Sequence, residues 1–316
     1  METVACNLCG SVRQERLWEA QDWAYGHAGT FTVVRCVECG LIFLNPRPTL
    51  DEISSYYPRD YEPYRRTALA LRSPLRDLIH RLKLRSRVRV VTRWMDSGRL
   101  LDVGCGSGGF LREMHRLGGW QVQGIEIDPD MVRLAQAELG LDVLGTMLEE
   151  AGFPDHAFDI VTMWDVLEHM HDPLAVLREV RRILRPGGLV ICSTPNVASL
   201  DAKMFGRYWI GFDVPRHLYA FSPSTLAALL RKAALDVERV FCFYGRYTTF
   251  ALSLSRWLNA RIRSPRWRRW VSTGLQFFLF RYLTLPYFLM LDTLNRGAIM
   301  TVVARRAAEN ASLHPE

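Results

Sequence analysis

The chain has no basic stretch followed by an apolar run at Met1-Glu2-Thr3-Val4-Ala5-Cys6, so a secretory signal is not expected. It has no internal repeat and no low-complexity tract. Acidic residues are in deficit: 33 Asp and Glu stand against 40 Lys and Arg, a formal charge of +7. Such a surplus points to an anionic partner: nucleic acid, a membrane surface or a phosphorylated substrate. No recognisable DNA or RNA module is present, which argues against nucleic acid. A clean membrane span is also lacking. The segment from Gly274 to Leu291 is nearly long enough, but Arg281 sits near its middle and Pro286 would kink it. The expectation is a cytoplasmic chain, in which cysteines stay reduced. Its seven cysteines are then metal ligands or core residues rather than disulfides. The hydrophobic fraction of 49% is ample for a core, and disorder is expected only near residues 307–316.

Six stretches divide the 316 residues. Residues 1–48 carry Cys6, Cys9, Cys36 and Cys39 and end in Asn45-Pro46-Arg47-Pro48. Residues 49–97 are first aromatic and proline-rich, then follow a basic helical pattern from Leu75 to Met95. Residues 98–245 alternate strand and helix patterns. Strands are expected at Arg99–Val103, Gln121–Glu126, Asp142–Leu144, Phe158–Met163, Leu189–Thr194 and Val237–Phe243. Helices are expected at Gly108–Leu117, Pro129–Leu139, Pro173–Leu184 and Ser222–Ala234. This alternation predicts βαβ units and a mainly parallel sheet. Residues 246–297 are rich in arginine, tryptophan and apolar residues, and residues 298–306 read as a last strand before the tail.

Leu101-Asp102-Val103-Gly104-Cys105-Gly106-Ser107-Gly108 reads as a buried strand running into a glycine loop and a helix. Gly104-x-Gly106-x-x-Gly109 alone would also satisfy a dinucleotide loop. Asp102 separates the two readings. A carboxylate there repels a pyrophosphate but suits the ammonium group of S-adenosylmethionine. Glu126, at the end of the second strand, can accept hydrogen bonds from ribose hydroxyls.

These residues resemble class I S-adenosylmethionine-dependent methyltransferases. Asp102-x-Gly104-x-Gly106 is similar to their first motif and Gly124-x-Glu126 to their second-strand acid. Phe158 to His169 resembles their fourth-strand motif, and Leu184-Arg185-Pro186-Gly187-Gly188 resembles the turn into their fifth strand. The resemblance implies an α/β Rossmann-like sheet of mainly parallel strands with an antiparallel last strand. It implies a cofactor site built from Asp102, Gly104, Gly106, Glu126, Ile127, Met147, Leu148 and Trp164. The family often grips adenine with an acid after the third strand. Gly145-Thr146-Met147-Leu148-Glu149 lacks a clear Asp, so the backbone near Met147 and Leu148 is the expected contact.

The sulfonium is already activated, so the enzyme must align a nucleophile, exclude water and take a proton from an oxygen acceptor. Asp165, His169 and His217 are the expected catalytic residues. Asp165, Glu168 and His169 resemble the corresponding D-x-x-E-H segment of ubiquinone-biosynthesis O-methyltransferases, some of which use a divalent metal there. The competing expectation is that Glu168 and His169 only cap the turn into Pro173–Leu184. In Asp213-Val214-Pro215-Arg216-His217, the histidine is a candidate base and Arg216 a candidate clamp for an anionic group. His217 bonding a neighbouring loop is the structural alternative.

Cys6-x-x-Cys9-Gly10 and Cys36-x-x-Cys39-Gly40 form two knuckles, which predict a structural zinc ribbon with four thiolate ligands. A thioredoxin-like redox pair lacks its βαβ context. A similar ribbon precedes many bacterial methyltransferases acting on sugars or small metabolites. Cys105, Cys192 and Cys242 are expected in the packing. Two arginine clusters, one between Arg72 and Arg93 and one between Arg256 and Arg269, flank a lid or an interfacial segment at the inner face of the membrane. The overall expectation is a methyltransferase for a sugar, lipid-linked or quinone-like small molecule. The rivals are a nicotinamide-dependent oxidoreductase and a non-catalytic zinc-bearing binding protein.

Overall fold

A computed structural model describes residues 1–58, 84–243, 246–262, 264 and 283–308. The first half of the basic helical pattern, the second arginine cluster beyond Ile262 except Ser264, the apolar run up to residue 282 and the tail from residue 309 lie outside these residues.

Two sheets organise the molecule. The larger holds β4 (Gly98–Val103), β5 (Trp120–Ile125), β6 (Val143–Leu144), β7 (Phe158–Trp164), β8 (Leu184–Pro195), β10 (Leu235–Phe241) and β11 (Ile299–Arg306). Their order is β10-β11-β8-β7-β4-β5-β6. Neighbours from β8 through β6 run parallel, and β11 is antiparallel to both β8 and β10. The mainly parallel sheet with an antiparallel last strand is therefore present. β7 is buried along all of its length, as expected of a strand covered on both faces. The sheet order reverses between β4 and β7, so a crevice opens at their C-terminal ends.

Helix starts follow local chemistry. Asp128 accepts from the N–H groups of Asp130 and Met131, with Pro129 opening the helix Pro129–Leu139. Asp172 accepts from Ala175 N–H at 2.9 Å and opens the helix Pro173–Ile183. Asp172 is therefore the cap of that helix, and Glu168 and His169 are not. Ser222 and Thr225 form a capping box at the helix Pro223–Lys232. A helix at residues 84–92 agrees with the second half of the basic pattern. Helices also occupy Gly109–Arg116, Leu200–Phe205, Arg246–Asn259 and Leu285–Thr293. Some boundaries differ from expectation; β10 runs over Leu235–Phe241 rather than Val237–Phe243. β8 begins at Leu184 rather than Leu189, because Leu184 already pairs with Phe158 across a register shift.

The smaller sheet joins β1 (Gln14–Ala20), β2 (Phe31–Cys36), β3 (Ile42–Leu44) and β9 (Tyr219–Ala220), all antiparallel. Its fourth strand comes from far along the chain. Leu44 N–H donates to Leu218 C=O at 2.9 Å, and Phe43 stacks on Tyr219. Phe31, Val33 and Phe43 share one apolar cluster with Val161, Val190 and Leu226. Burying one such Phe stabilises by about 1.5–3 kcal/mol, so the N-terminal sheet is welded to the larger one. Among the described residues no helix is long and apolar enough to cross a membrane.

Candidate functional site

β4 delivers Asp102 to the crevice, and the glycine loop leaves from it. The N–H groups of Gly104 and Cys105 both donate to Ile125 C=O, at 2.8 and 3.0 Å, tying the loop to β5. Gly104 has φ +68°, and a Cβ there would stand 2.6 Å from a methyl of Val166. Only glycine satisfies both demands. Asp102 is buried and accepts a 2.6 Å hydrogen bond from Thr162 Oγ1. Burial pushes its carboxyl up to about 7 despite that bond. A cationic ammonium beside it would restore the charged form.

Glu126 closes the loop from the other side. Its Oε2 accepts from Gly106 N–H at 2.8 Å, and its Oε1 from Ile127 and Asp128 N–H at 2.9 and 3.0 Å. Three of its roughly four acceptor positions are thus taken, leaving room for one ribose hydroxyl in this conformation. Ile127 lies on the rim, 67% exposed. Met147 is half-buried after β6, whereas Leu148 points into the core and has only its backbone to offer. Trp164 ends β7. It packs edge-on against Phe110, centroids 5.5 Å apart, beneath the Arg87 guanidinium at 5.1 Å. Gly106, Asp102, Glu126 and Trp164 therefore lie around the C-terminal ends of β4, β5 and β7.

Asp165 follows with φ +59°. Its carboxylate accepts from Arg87 at 2.9 Å and from Ser193 Oγ at 3.3 Å. Beyond it, Glu168, His169 and His217 bring one ligand atom each within 4.8 Å of one another. The donor set that converges is thus Glu168, His169 and His217; Asp165, expected in it, is held instead by Arg87 and Ser193. The Nδ1 atoms of His169 and His217 lie 3.0 and 2.8 Å from the carbonyls of Arg216 and Gly211. A carbonyl only accepts, so each neutral ring carries its proton on Nδ1 and a lone pair on Nε2. The rings meet edge-to-face at 4.6 Å. Burial, then the neighbouring His217, lower His169 to about 3; burial lowers His217 as well. Both are neutral near pH 7. Burial, reinforced by Asp165, raises Glu168 well above the carboxylate range; its backbone N–H and Thr194 lie close enough to temper the shift, but among the described residues neither oxygen has a hydrogen bond of good geometry. Two neutral imidazoles oriented by backbone carbonyls beside an unsatisfied buried carboxylate fit a divalent cation.

Arg216 does not face a ligand. It is fully buried and bonds Asp22 at 2.7 and 3.0 Å, Asp213 at 2.8 and 3.1 Å, and the Tyr56 carbonyl at 3.1 Å. It also lies over the Tyr25 ring at 4.8 Å. The expected clamp for an anionic group is a structural ion pair, because its donors are already consumed. Burial would raise Asp22, but hydrogen bonds from Arg216 and His27 hold it well below the carboxylate range.

The four thiols of Cys6, Cys9, Cys36 and Cys39 lie within 4.8 Å of one another, with two Sγ–Sγ contacts of 3.4 Å. Tetrahedral zinc with bonds of about 2.3 Å sets sulfur–sulfur edges of about 3.8 Å. The N–H groups of Gly10 and Gly40 return to the carbonyls of Cys6 and Cys36, closing the two knuckles. Cys105, Cys192 and Cys242 are buried in the packing, as expected.

Sequence reasoning missed Tyr57. Its hydroxyl lies 3.0 Å from His169 Nδ1, beside the histidine pair. Its only signal was membership of the aromatic stretch after residue 49.

Comparison with known proteins agrees with this geometry. A methyltransferase domain model matches residues 66–240, more than half of the chain. The chain belongs to this methyltransferase family, and its fold is that of class I S-adenosylmethionine-dependent methyltransferases. It is similar to the ubiquinone biosynthesis O-methyltransferase of Cereibacter sphaeroides strain ATCC 17025, 38% identical over 149 residues, covering 44% of this chain and 60% of that one. The Xanthomonas oryzae pv. oryzae protein of the same name is 36% identical over 154 residues, 45% of this chain and 64% of its own. The match thus spans about three fifths of these relatives. A solved S-adenosylmethionine-dependent methyltransferase from Archaeoglobus fulgidus superposes with TM-score 0.49 at 20% identity, over 71% of this chain and 94% of that one.

Proposed function

We propose that this protein transfers the methyl group of S-adenosylmethionine to a hydroxyl oxygen of a quinone-like small molecule. The observation that carries the reading is the convergence of Glu168, His169 and His217 next to the crevice holding Asp102 and Glu126. Asp102 faces the ammonium of the methyl donor, Glu126 a ribose hydroxyl, and Trp164 and Ile127 form the walls. Met147 and Leu148 offer backbone to the adenine. The O-methyltransferase names of the two relatives support oxygen as the acceptor atom.

Glu168, His169 and His217 would hold a divalent cation, which when bound lowers the pKa of an acceptor hydroxyl. The chain's own residues then orient the acceptor. Tyr57 and the carbonyls of Arg216 and Gly211 fix the imidazoles, and Asp165 anchors Arg87 over Trp164. Cys6, Cys9, Cys36 and Cys39 would hold zinc with no open position, a structural role. A peripheral membrane contact is supported by exposed Leu283, Leu285, Leu289 and Met290 near the last helix.

The test is transfer of radiolabelled methyl to a panel of catechols and hydroxyquinols, with and without added magnesium, manganese or zinc. Labelled ether product from the native chain, and its loss in His169→Ala and Glu168→Leu, is the expected result. Label on nitrogen or carbon, or undiminished turnover in both variants, would sink the proposal.

A further inference from the structure

A cavity of about 420 Å³ lies between the helix 84–92, the end of β10 and the end of the helix Leu285–Thr293. Arg89 on the helix 84–92, Arg93 just past its end and Arg239 on β10 all line it. All three are exposed, and among the described residues none of their guanidiniums has an ion pair or hydrogen bond; Arg239 overlies the Phe241 ring at 5.6 Å. Several other arginines of the described residues have carboxylate partners, while exposed ones such as Arg85, Arg178 and Arg231 have none. Glu238, next to Arg239 in sequence, pairs with Arg305 at 2.7 Å instead. Arg47, Arg182 and Arg216 likewise have carboxylate partners.

Like charges four apart near a helix end repel one another. The end of a helix does attract cations, which accounts for Arg93. It does not account for Arg239, which arrives from a strand. Among the described lining residues Asp292, itself engaged in a contact, is the one acid, so three positive charges face one negative. The remaining two match a doubly charged anion, and the planar guanidinium fork matches phosphate oxygens in pairs.

The cavity's position adds a direction. Phe243 lines it and packs edge-on against Trp164, centroids 6.5 Å apart. Trp164 is also a wall of the crevice at the end of β7. One pair of rings thus separates the arginines from that crevice. We infer that this cavity is a subsite for a phosphate or pyrophosphate group carried by the methyl acceptor. The word acceptor rests on the proposed methyl transfer; the binding of a phosphate-bearing group does not.

The experiment uses the full chain and inorganic pyrophosphate, titrated calorimetrically at near-physiological salt. S-adenosylmethionine affinity is measured in parallel. The native chain should bind pyrophosphate, and each of Arg89→Gln, Arg93→Gln and Arg239→Gln should weaken it roughly 10- to 100-fold, the worth of one charged hydrogen bond. Arg85→Gln, one turn earlier on the same helix and outside the lining, should leave it unchanged. Flotation with phosphatidylglycerol and phosphatidylcholine vesicles separates the sources. Flotation on the anionic vesicles that the triple variant loses assigns the group to a lipid head, and absence of flotation assigns it to a soluble acceptor; either supports the subsite. No pyrophosphate binding by the native chain, or equal binding by the triple variant, would overturn it. If the native chain binds pyrophosphate but not S-adenosylmethionine, the methyl-transfer reading falls and the anion subsite stands.

Discussion

Two buried polar clusters touch at adjacent residues, and they are built on opposite principles. Arg216 is saturated: two carboxylates, a carbonyl and an aromatic ring enclose its guanidinium. His217, the next residue, contributes to a cluster whose carboxylate has no hydrogen bond of good geometry among the described residues. A buried charge with every bond satisfied holds structure together, since removing one partner strands the other. A buried carboxylate with none is a standing cost, tolerated where a ligand completes it. Burial alone would have ranked the two alike; satisfaction of hydrogen bonds tells them apart.

The comparison can be broken most forcefully at Arg216. Arg216→Met should cost about 3–5 kcal/mol of stability by leaving buried Asp22 with His27 alone and Asp213 with Arg256 alone. Urea unfolding of the variant measures it, and a loss below about 1 kcal/mol would erase the contrast. Glu168→Leu should do the reverse, leaving stability unchanged or slightly higher while methyl transfer falls at least roughly 100-fold. Thermal melting and turnover on one sample check both halves.

Asp102 offers a finer cut. Asp102→Asn should weaken S-adenosylmethionine binding by about 10- to 100-fold, the loss of one charge-assisted bond, with little change in folding. The native residue also predicts a pH dependence. Its folded pKa, about 7, is above its unfolded value, so its contribution to stability is full below about pH 4 and is lost as pH rises through about 7. Cofactor binding runs the other way. It needs the charged carboxylate, so affinity should fall by up to about tenfold per pH unit below 7. Calorimetry across pH 5–8 measures this, and a flat profile would remove Asp102 from the donor site.

Much of the sheet was legible because its signals are local. Asp128-Pro129, Asp172-Pro173 and Ser222-Pro223 each spell a helix start, and each is used as one. The glycine loop and its two acids lie within 25 residues of sequence and meet as expected. What stayed hidden is non-local. Arg216 meets Asp22 across 194 positions, and Tyr57 meets His169 across 112. No periodicity announces such pairs, so Arg216 read as a ligand clamp and Tyr57 as one aromatic among several. Asp165 was misplaced for a related reason. It follows the right strand, but its φ of +59° and its bond to Arg87 turn it aside from the metal-type cluster.

The pairing of β3 with β9 has a consequence in time. The cysteine knuckles leave the ribosome early, yet the strand that completes their sheet follows some 175 residues after Leu44. At about 5–20 residues per second, that strand arrives on the order of 10–35 s later. During that interval β3 exposes an unpaired edge, and the four thiols have no finished sheet to place them. If the four thiols hold zinc, metal bound during synthesis would place them before the sheet is complete.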